Sequence, residues 1–466
     1  MCSILFTNKK PNVNDYNLLK SRGPDATTQE SIAGYYFVHN LLSLTGDFTK
    51  QPVQQDGIVL LFNGEIYNYK DLDPTAESDS YSIISTYKKY GTKFVKHLDG
   101  EYAIVLVDIN KQLIIFSADV FRTKPLFYSI ENDKIGISTF ETPLQKLNFS
   151  DIKGVTPNTC NIINLSDNSF ESFKIKEFDL NQHKTSYDDW IKAFDNAVKK
   201  RACQSGNKKM FIGMSSGYDS GAIACALNKL DVDNKCYSIY ASENEKIIDD
   251  RKSILKNVQT IRLSQSDYNE WRSYVQSNCE DFVSYQYNGY NIKNDKASVG
   301  LAYICDKAIQ EDRKIYLSGQ GADEIFSDYG IFGHKIMGDQ QSTFGGIYPN
   351  DLSPYFPWKN FFDGTMEMYI AKEEYVAGSF GIETRYPFLD IDVVQEFLWL
   401  TPELKNKSYK SVVGEYLLKN KFPIDVNKKI GFQESQFSLG YLKKILYIKY
   451  YGQETCIILG WYKKRR

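Results

Sequence analysis

Lys209-Met210-Phe211-Ile212-Gly213-Met214-Ser215-Ser216-Gly217-Tyr218-Asp219-Ser220-Gly221 reads as a buried strand over Lys209 to Met214 running into a loop of small residues. A helix follows, which the spacing predicts over Gly221 to Leu230. Backbone N–H groups and a helix N-terminus at such a turn make an anion site. Small side chains at 215, 216, 217, 220 and 221 let phosphate oxygens approach the backbone. Ser215, Ser216, Gly217, Asp219 and Ser220 are therefore candidate nucleotide-binding residues. The loop lacks the lysine of a Walker pattern, and an ordinary turn with a serine N-cap would read the same way. A second loop, Leu317-Ser318-Gly319-Gln320-Gly321-Ala322-Asp323-Glu324, also follows a strand and opens a helix. Ser318 and Gly319 join the candidates. Two such loops at the carboxyl ends of parallel strands face one crevice. Asp219 and Asp323 could share a Mg²⁺ there, because that ion prefers hard oxygens.

Outward from this loop, strands recur at Lys235 to Tyr240, Thr260 to Leu263 and Lys314 to Leu317, alternating with helical patterns such as Trp190 to Arg201. That alternation predicts an α/β domain with a parallel sheet covered by helices on both faces. The N-terminal half is written differently. Short runs at 35–44, 57–62, 102–108, 113–118 and 135–139 are strand-like, and only Ser80 to Tyr90 is clearly helical, an α+β pattern. Residues 166–185 are mostly polar and mark a boundary. The expected division is residues 1–175, a linker at 176–187, and 188–466.

At 466 residues the chain exceeds one ordinary core, so two or three domains are expected. A net charge of −2 gives no basic field for a nucleic-acid partner. No run of eighteen apolar residues is present to span a membrane. The eight cysteines form no CxxC pair and only four histidines accompany them, which argues against a zinc site and for a reducing, cytoplasmic setting. No charged-then-apolar targeting stretch opens the chain. Cys2 is singular among the cysteines: with Met1 removed, one residue would carry both a thiol nucleophile and an amine able to take its proton. As a small hydrophobe in the run Ser3-Ile4-Leu5-Phe6 it could equally be core.

Several further blocks fall in order. Arg22-Gly23-Pro24-Asp25, Asn63-Gly64-Glu65-Ile66-Tyr67-Asn68, Ser78-Asp79, Asp99-Gly100 and Lys124-Pro125-Leu126-Phe127-Tyr128 precede the two loops. Gly381-Ile382-Glu383-Thr384-Arg385-Tyr386-Pro387-Phe388-Leu389-Asp390 and Lys429 follow them. Together these resemble the glutamine-dependent asparagine synthetases over nearly the whole chain. The resemblance implies an N-terminal amidotransferase sandwich of two antiparallel sheets between helical layers, then a domain of the PP-loop ATP pyrophosphatase type. It implies Cys2 as nucleophile, Asn63 and Gly64 as oxyanion hole, and Glu65 and Asp79 as holders of the glutamine head. It also implies ATP and Mg²⁺ as cofactors and Lys429 as a charge-neutralising residue. Glutamine, ATP and a carboxylate acceptor are the implied small-molecule partners, with a homodimer as one arrangement.

Two departures stand out. Leu41 occupies the position where the family clamps the glutamine carboxylate with arginine, a strong bidentate anchor. Gln320 replaces a glutamate thought to act on ammonia, and an amide has no useful basicity. Glu383 is the expected substitute base. Ser216 adds a hydroxymethyl group to the phosphate loop, and Ser327-Asp328 replaces a glycine pair beyond the second loop. The expected activity is amide formation on a carboxylate, aspartate by default. The alternatives are a relative acting on another carboxylate (a sugar acid, peptide or small metabolite), or a chain that has lost one activity.

Overall fold

The computed structural model describes residues 1–425 apart from 13–15, 205, 207, 241–242, 285–288 and 328–346. Lys429 and Asp328 lie outside these residues, as does the sequence from Tyr441 to Arg466, which mixes aromatic residues with lysines and ends Lys463-Lys464-Arg465-Arg466.

The first domain is a sandwich of two six-stranded sheets in which every pairing is antiparallel. Ser3–Thr7 lies inside one sheet, between Tyr35–Leu41 and Lys134–Ser138. Ile58–Ile66 lies inside the other, between Gly100–Asp108 and Val53–Gln55. Alternation along the strands decides the layers. Ile4 and Phe6 pack against Val59, Leu61, Ala103, Val105 and Phe116 between the sheets. Leu5 turns outward to Leu19 and Leu144, carried by the helices Asn17–Arg22 and Glu141–Lys146. Leu60 and Phe62 turn the opposite way, to Ile83, Ile84 and Tyr87 of the helix Asp79–Tyr90. Helical layers thus enclose both sheets.

The second domain holds a five-stranded sheet whose central strand is Met210–Gly213. It is flanked by Asn234–Ile239 and Val258–Ile261 on one side, and by Ile315–Leu317 and Glu383–Arg385 on the other. All four pairings are parallel. The helix after the central strand starts at Tyr218, three residues earlier than its spacing suggested, so Asp219 and Ser220 lie in its first turn. The block at 381–390 contributes the edge strand Glu383–Arg385, in register with Ile315–Leu317. Among the described residues, no helix is long and apolar enough to cross a membrane.

Candidate active sites

A cleft of about 500 Å³ opens at the carboxyl ends of the central strands. Ser215, Gly217, Asp219 and Ser220 line it from the first loop, and Ser318, Gly319, Gln320 and Asp323 from the second. Arg251, fully buried, donates to the carbonyls of Ser215 (2.5 Å) and Gly217 (3.0 Å). Engaging those carbonyls fixes the loop backbone from behind. Gly221 makes this possible, since a Cβ there would lie 2.5 Å from the Arg251 guanidinium. Ser216 is turned away from the cleft lining. Its N–H and hydroxyl both donate to the Glu243 carboxylate, so the added hydroxyl is already satisfied.

Asp219 and Asp323 converge as expected, and what they converge on is a lysine. Lys410 Nζ, 1% exposed, lies 2.5 Å from Asp219 Oδ2 and 2.8 Å from Asp323 Oδ1. Burial opposes the lysine charge, but the two carboxylates outweigh it and hold the ammonium protonated well above lysine's ordinary range. The two aspartates therefore fit a cation between the loops. Among the described residues no group of three or more His, Cys, Asp or Glu could hold a metal unaided. Mg²⁺ ordinarily takes one or two carboxylates and completes its shell with phosphates and water.

Glu383 does not line this cleft. The carboxylate beside Gln320 is Glu373, on the helix Thr365–Gly378. Its Oε1 accepts from Gln320 Nε2 and from the Tyr316 hydroxyl, each at 3.3 Å, and its buried Oε2 has no hydrogen-bond partner. Burial pushes the Glu373 carboxyl up to about 7. That places its titration where a general base is most effective.

In the first domain Cys2 Sγ accepts from the Leu42 backbone N–H at 3.4 Å. Burial pushes the thiol up to about 11, with the N-terminal ammonium opposing. Asn63, opposite Ala103, is fully buried, and neither its Oδ1 nor its Nδ2 finds a partner. Glu65 Oε2 is also buried and unpartnered. Orphaned buried polar atoms at one place point to a group that is meant to meet them. Gly64 adopts φ +133, and a Cβ there would lie 1.9 Å from the Glu101 carbonyl, so only glycine fits. Asp79 Oδ2 accepts from Ile66 N–H at 3.2 Å, and burial lifts its carboxyl to about 7. Leu41 is buried and offers no charge.

The two sites meet through buried ion pairs. Arg22 donates Nε to the Cys2 carbonyl (3.2 Å) and Nη2 to Glu374 Oε2 (3.0 Å), on the same helix as Glu373. Lys124 binds Glu374 (3.2 Å), Glu101 (3.4 Å) and the Thr384 carbonyl (2.6 Å). Arg201 joins Glu101 to Asp390, each at 2.7 Å. The blocks at 22–25 and 124–128 therefore serve the junction between domains. Lys410, Glu373, Arg251 and Glu243 went unnoticed in the sequence. The charged run Lys372-Glu373-Glu374, set between the apolar stretches of the helix 365–378, is the signal that could have found Glu373.

Residues 1–178 match the family described as glutamine amidotransferase domain, and residues 189–356 match asparagine synthase. A Methanocaldococcus jannaschii protein, provisionally named asparagine synthetase (glutamine-hydrolyzing) 1, is 28% identical over 82% of this chain and 73% of its own. The asparagine synthetase (glutamine-hydrolyzing) of Rattus norvegicus is 25% identical over 86% of this chain and 76% of its own. The asparagine synthetase (glutamine-hydrolyzing) 1 of Arabidopsis thaliana is 24% identical over 91% and 74%. With both domains present in that order, the chain joins a glutamine amidotransferase domain to an asparagine synthase domain and is an enzyme of the glutamine-hydrolysing, ATP-using ligase type.

Proposed function

We propose that this ligase transfers ammonia from glutamine to a carboxylate activated by ATP, with aspartate as the acceptor. The observation that carries the reading is the single cleft where both loops, Lys410 and Glu373 converge. In the first domain, Cys2 attacks the glutamine amide carbon. Asn63 and the Gly64 backbone receive the oxyanion, while Glu65 and Asp79 hold the amino-acid head. Ammonia leaves, and water hydrolyses the remaining thioester.

In the cleft the acceptor carboxylate attacks the α-phosphorus of ATP and pyrophosphate departs. The backbone of the two loops and the hydroxyls of Ser215, Ser220 and Ser318 cradle the phosphates, with Gly217 and Gly319 leaving room for them; Ser216, expected among the nucleotide-binding residues, is instead engaged by Glu243 behind the loop. Asp219 and Asp323 would hold Mg²⁺, which supplies charge neutralisation at the phosphate oxygens. Lys410 supplies fixed positive charge between the same loops. Glu373 accepts a proton as ammonia adds to the acyl-adenylate, and AMP leaves. Lys429 is assigned its neutralising role by family resemblance alone.

Pyrophosphate release with aspartate, tested with glutamine and with ammonium as donor, checks this. Release on aspartate with either donor is expected. Silence on aspartate with release on another carboxylate would replace the acceptor. A second reading, an acceptor other than aspartate, is favoured by the Gln320–Glu373 contact, which puts a neutral amide where relatives carry a charge.

A further inference from the structure

The strand Glu383–Arg385 belongs to the second domain's sheet, yet its two charged side chains reach the first domain's site. Residues i and i+2 of a strand share a face, and here that face meets Glu65 and the N-terminus. Arg385, fully buried, has Nη2 3.0 Å from Glu65 Oε1 and 2.8 Å from Glu383 Oε1. Glu383 turns its other oxygen, Oε2, to the N-terminal amine at 3.9 Å. Thr384, between them, projects its carbonyl to Lys124 instead. Cys2, Asp79 and Glu65 all feel the charge of Glu383. Glu65 Oε2, buried and without a partner, shows that Arg385 occupies only one of the two oxygens.

This arrangement has the form of a positioning device. The planar guanidinium is anchored through Nε to Glu383 and through Nη1 to the Arg201 carbonyl, which holds its Nη2 in one place against Glu65 Oε1. Clamping Oε1 of Glu65 leaves Oε2 fixed and available to an ammonium. Loss of Met1 would move the N-terminal amine to Cys2, inside the same group of carboxylates.

We propose that the second domain completes the glutamine site, Arg385 positioning Glu65 for the substrate's amino-acid head and Glu383 holding the N-terminal amine beside Cys2. The proposal rests on the glutaminase reading of Cys2. Glutamine use then depends on the docked interface and not on the first domain alone.

The test is steady-state glutamine hydrolysis by the full chain carrying Arg385→Met, Arg385→Lys, Glu383→Gln or Cys2→Ala. Arg122→Gln, which removes an interface ion pair to Glu367 away from the site, serves as control. Arg385→Met should raise KM for glutamine at least 30-fold. Arg385→Lys should recover part of that loss, because an ammonium keeps the charge but not the fork. Glu383→Gln should lower kcat and change the acid limb of the pH profile, while the control keeps wild-type KM. A merely structural role would lower activity in proportion to folded protein with KM unmoved. A KM within twofold of wild type in folded Arg385→Met overturns the proposal. Should that variant not fold, wild-type KM in Arg385→Lys together with a wild-type pH profile in Glu383→Gln overturns it equally. Undiminished hydrolysis by Cys2→Ala overturns the glutaminase reading and the proposal with it.

Discussion

Lys410→Met offers the sharpest test of the cation site between the loops. In the wild type one ammonium serves two carboxylates at 2.5 and 2.8 Å. Methionine keeps most of the stem volume and deletes the charge. Removing one partner of a buried ion pair costs about 3–5 kcal/mol. Asp219 and Asp323 retain 22% and 30% exposure, so water partly rescreens them and a figure below that range, about 2 kcal/mol, is appropriate. The vacated space then suits a divalent cation held by two oxygens. At a hundredfold excess over its dissociation constant, Mg²⁺ would return about 2.7 kcal/mol. In the wild type Lys410 already neutralises much of the charge on both carboxylates, so the ion's effect on the resting protein is smaller. Urea unfolding with and without Mg²⁺, in both proteins and without nucleotide, measures this. The variant should be less stable without the ion and gain more from it than the wild type. Equal Mg²⁺ responses, or none in the variant, would refute the reasoning that these aspartates form a cation site.

Gly64→Ala should abolish glutamine hydrolysis and lower stability by about 3 kcal/mol, because a Cβ 1.9 Å from the Glu101 carbonyl must force the strand apart; thermal melting and ammonia release report the two effects. Glu373 acts as a base only when ionised, so with its carboxyl at about 7 the rate measured at constant free ammonia should rise as pH increases through 7. Glu373→Gln should remove that limb and lower the plateau roughly a hundredfold, and an unchanged profile would exclude Glu373 as the base.

The strand–loop–helix at 209–230 is legible because its chemistry is local: an apolar run, small residues and a helix start lie within about twenty positions. Asn63-Gly64 is legible for the same reason, since the glycine's conformation is a property of its own backbone. Lys410 and Glu373 are not. Lys410 follows Asn406-Lys407-Ser408-Tyr409, a polar stretch in which one lysine looks like another. Only the packing of the helix Ser411–Lys419 against the helix Tyr218–Leu230 brings it to the aspartates. Glu383 was legible as a charged block but not as a location. Parallel pairing with Ile315–Leu317 fixes which neighbours its strand meets, and that register is a tertiary fact. Two charges at i and i+2 amid Ile382, Tyr386 and Phe388 were nonetheless a signal of buried ion pairing.

The buried thiol and the buried amine impose a requirement on the N-terminus. At a pKa of about 11, roughly one Cys2 thiol in ten thousand is ionised at pH 7. A nucleophile so rarely charged needs a base within reach. Burial pulls the N-terminal amine down to about 6, against the opposing pull of Glu383, so at pH 7 an amine in this pocket is mostly unprotonated and able to accept a proton. In the unprocessed chain that amine belongs to Met1, whose side chain fills the space beside Arg22 and whose nitrogen faces Glu383. The base is then one residue from the thiol it must serve, and the Met1 side chain occupies room beside the nucleophile. Protein produced with methionine aminopeptidase inhibited, its N-terminus checked by mass spectrometry, should therefore hydrolyse glutamine at least a hundredfold more slowly than processed protein. Its ammonium-dependent synthesis should continue, because the cleft lies in the other domain. Equal glutamine hydrolysis by both forms would show that the thiol finds its base elsewhere.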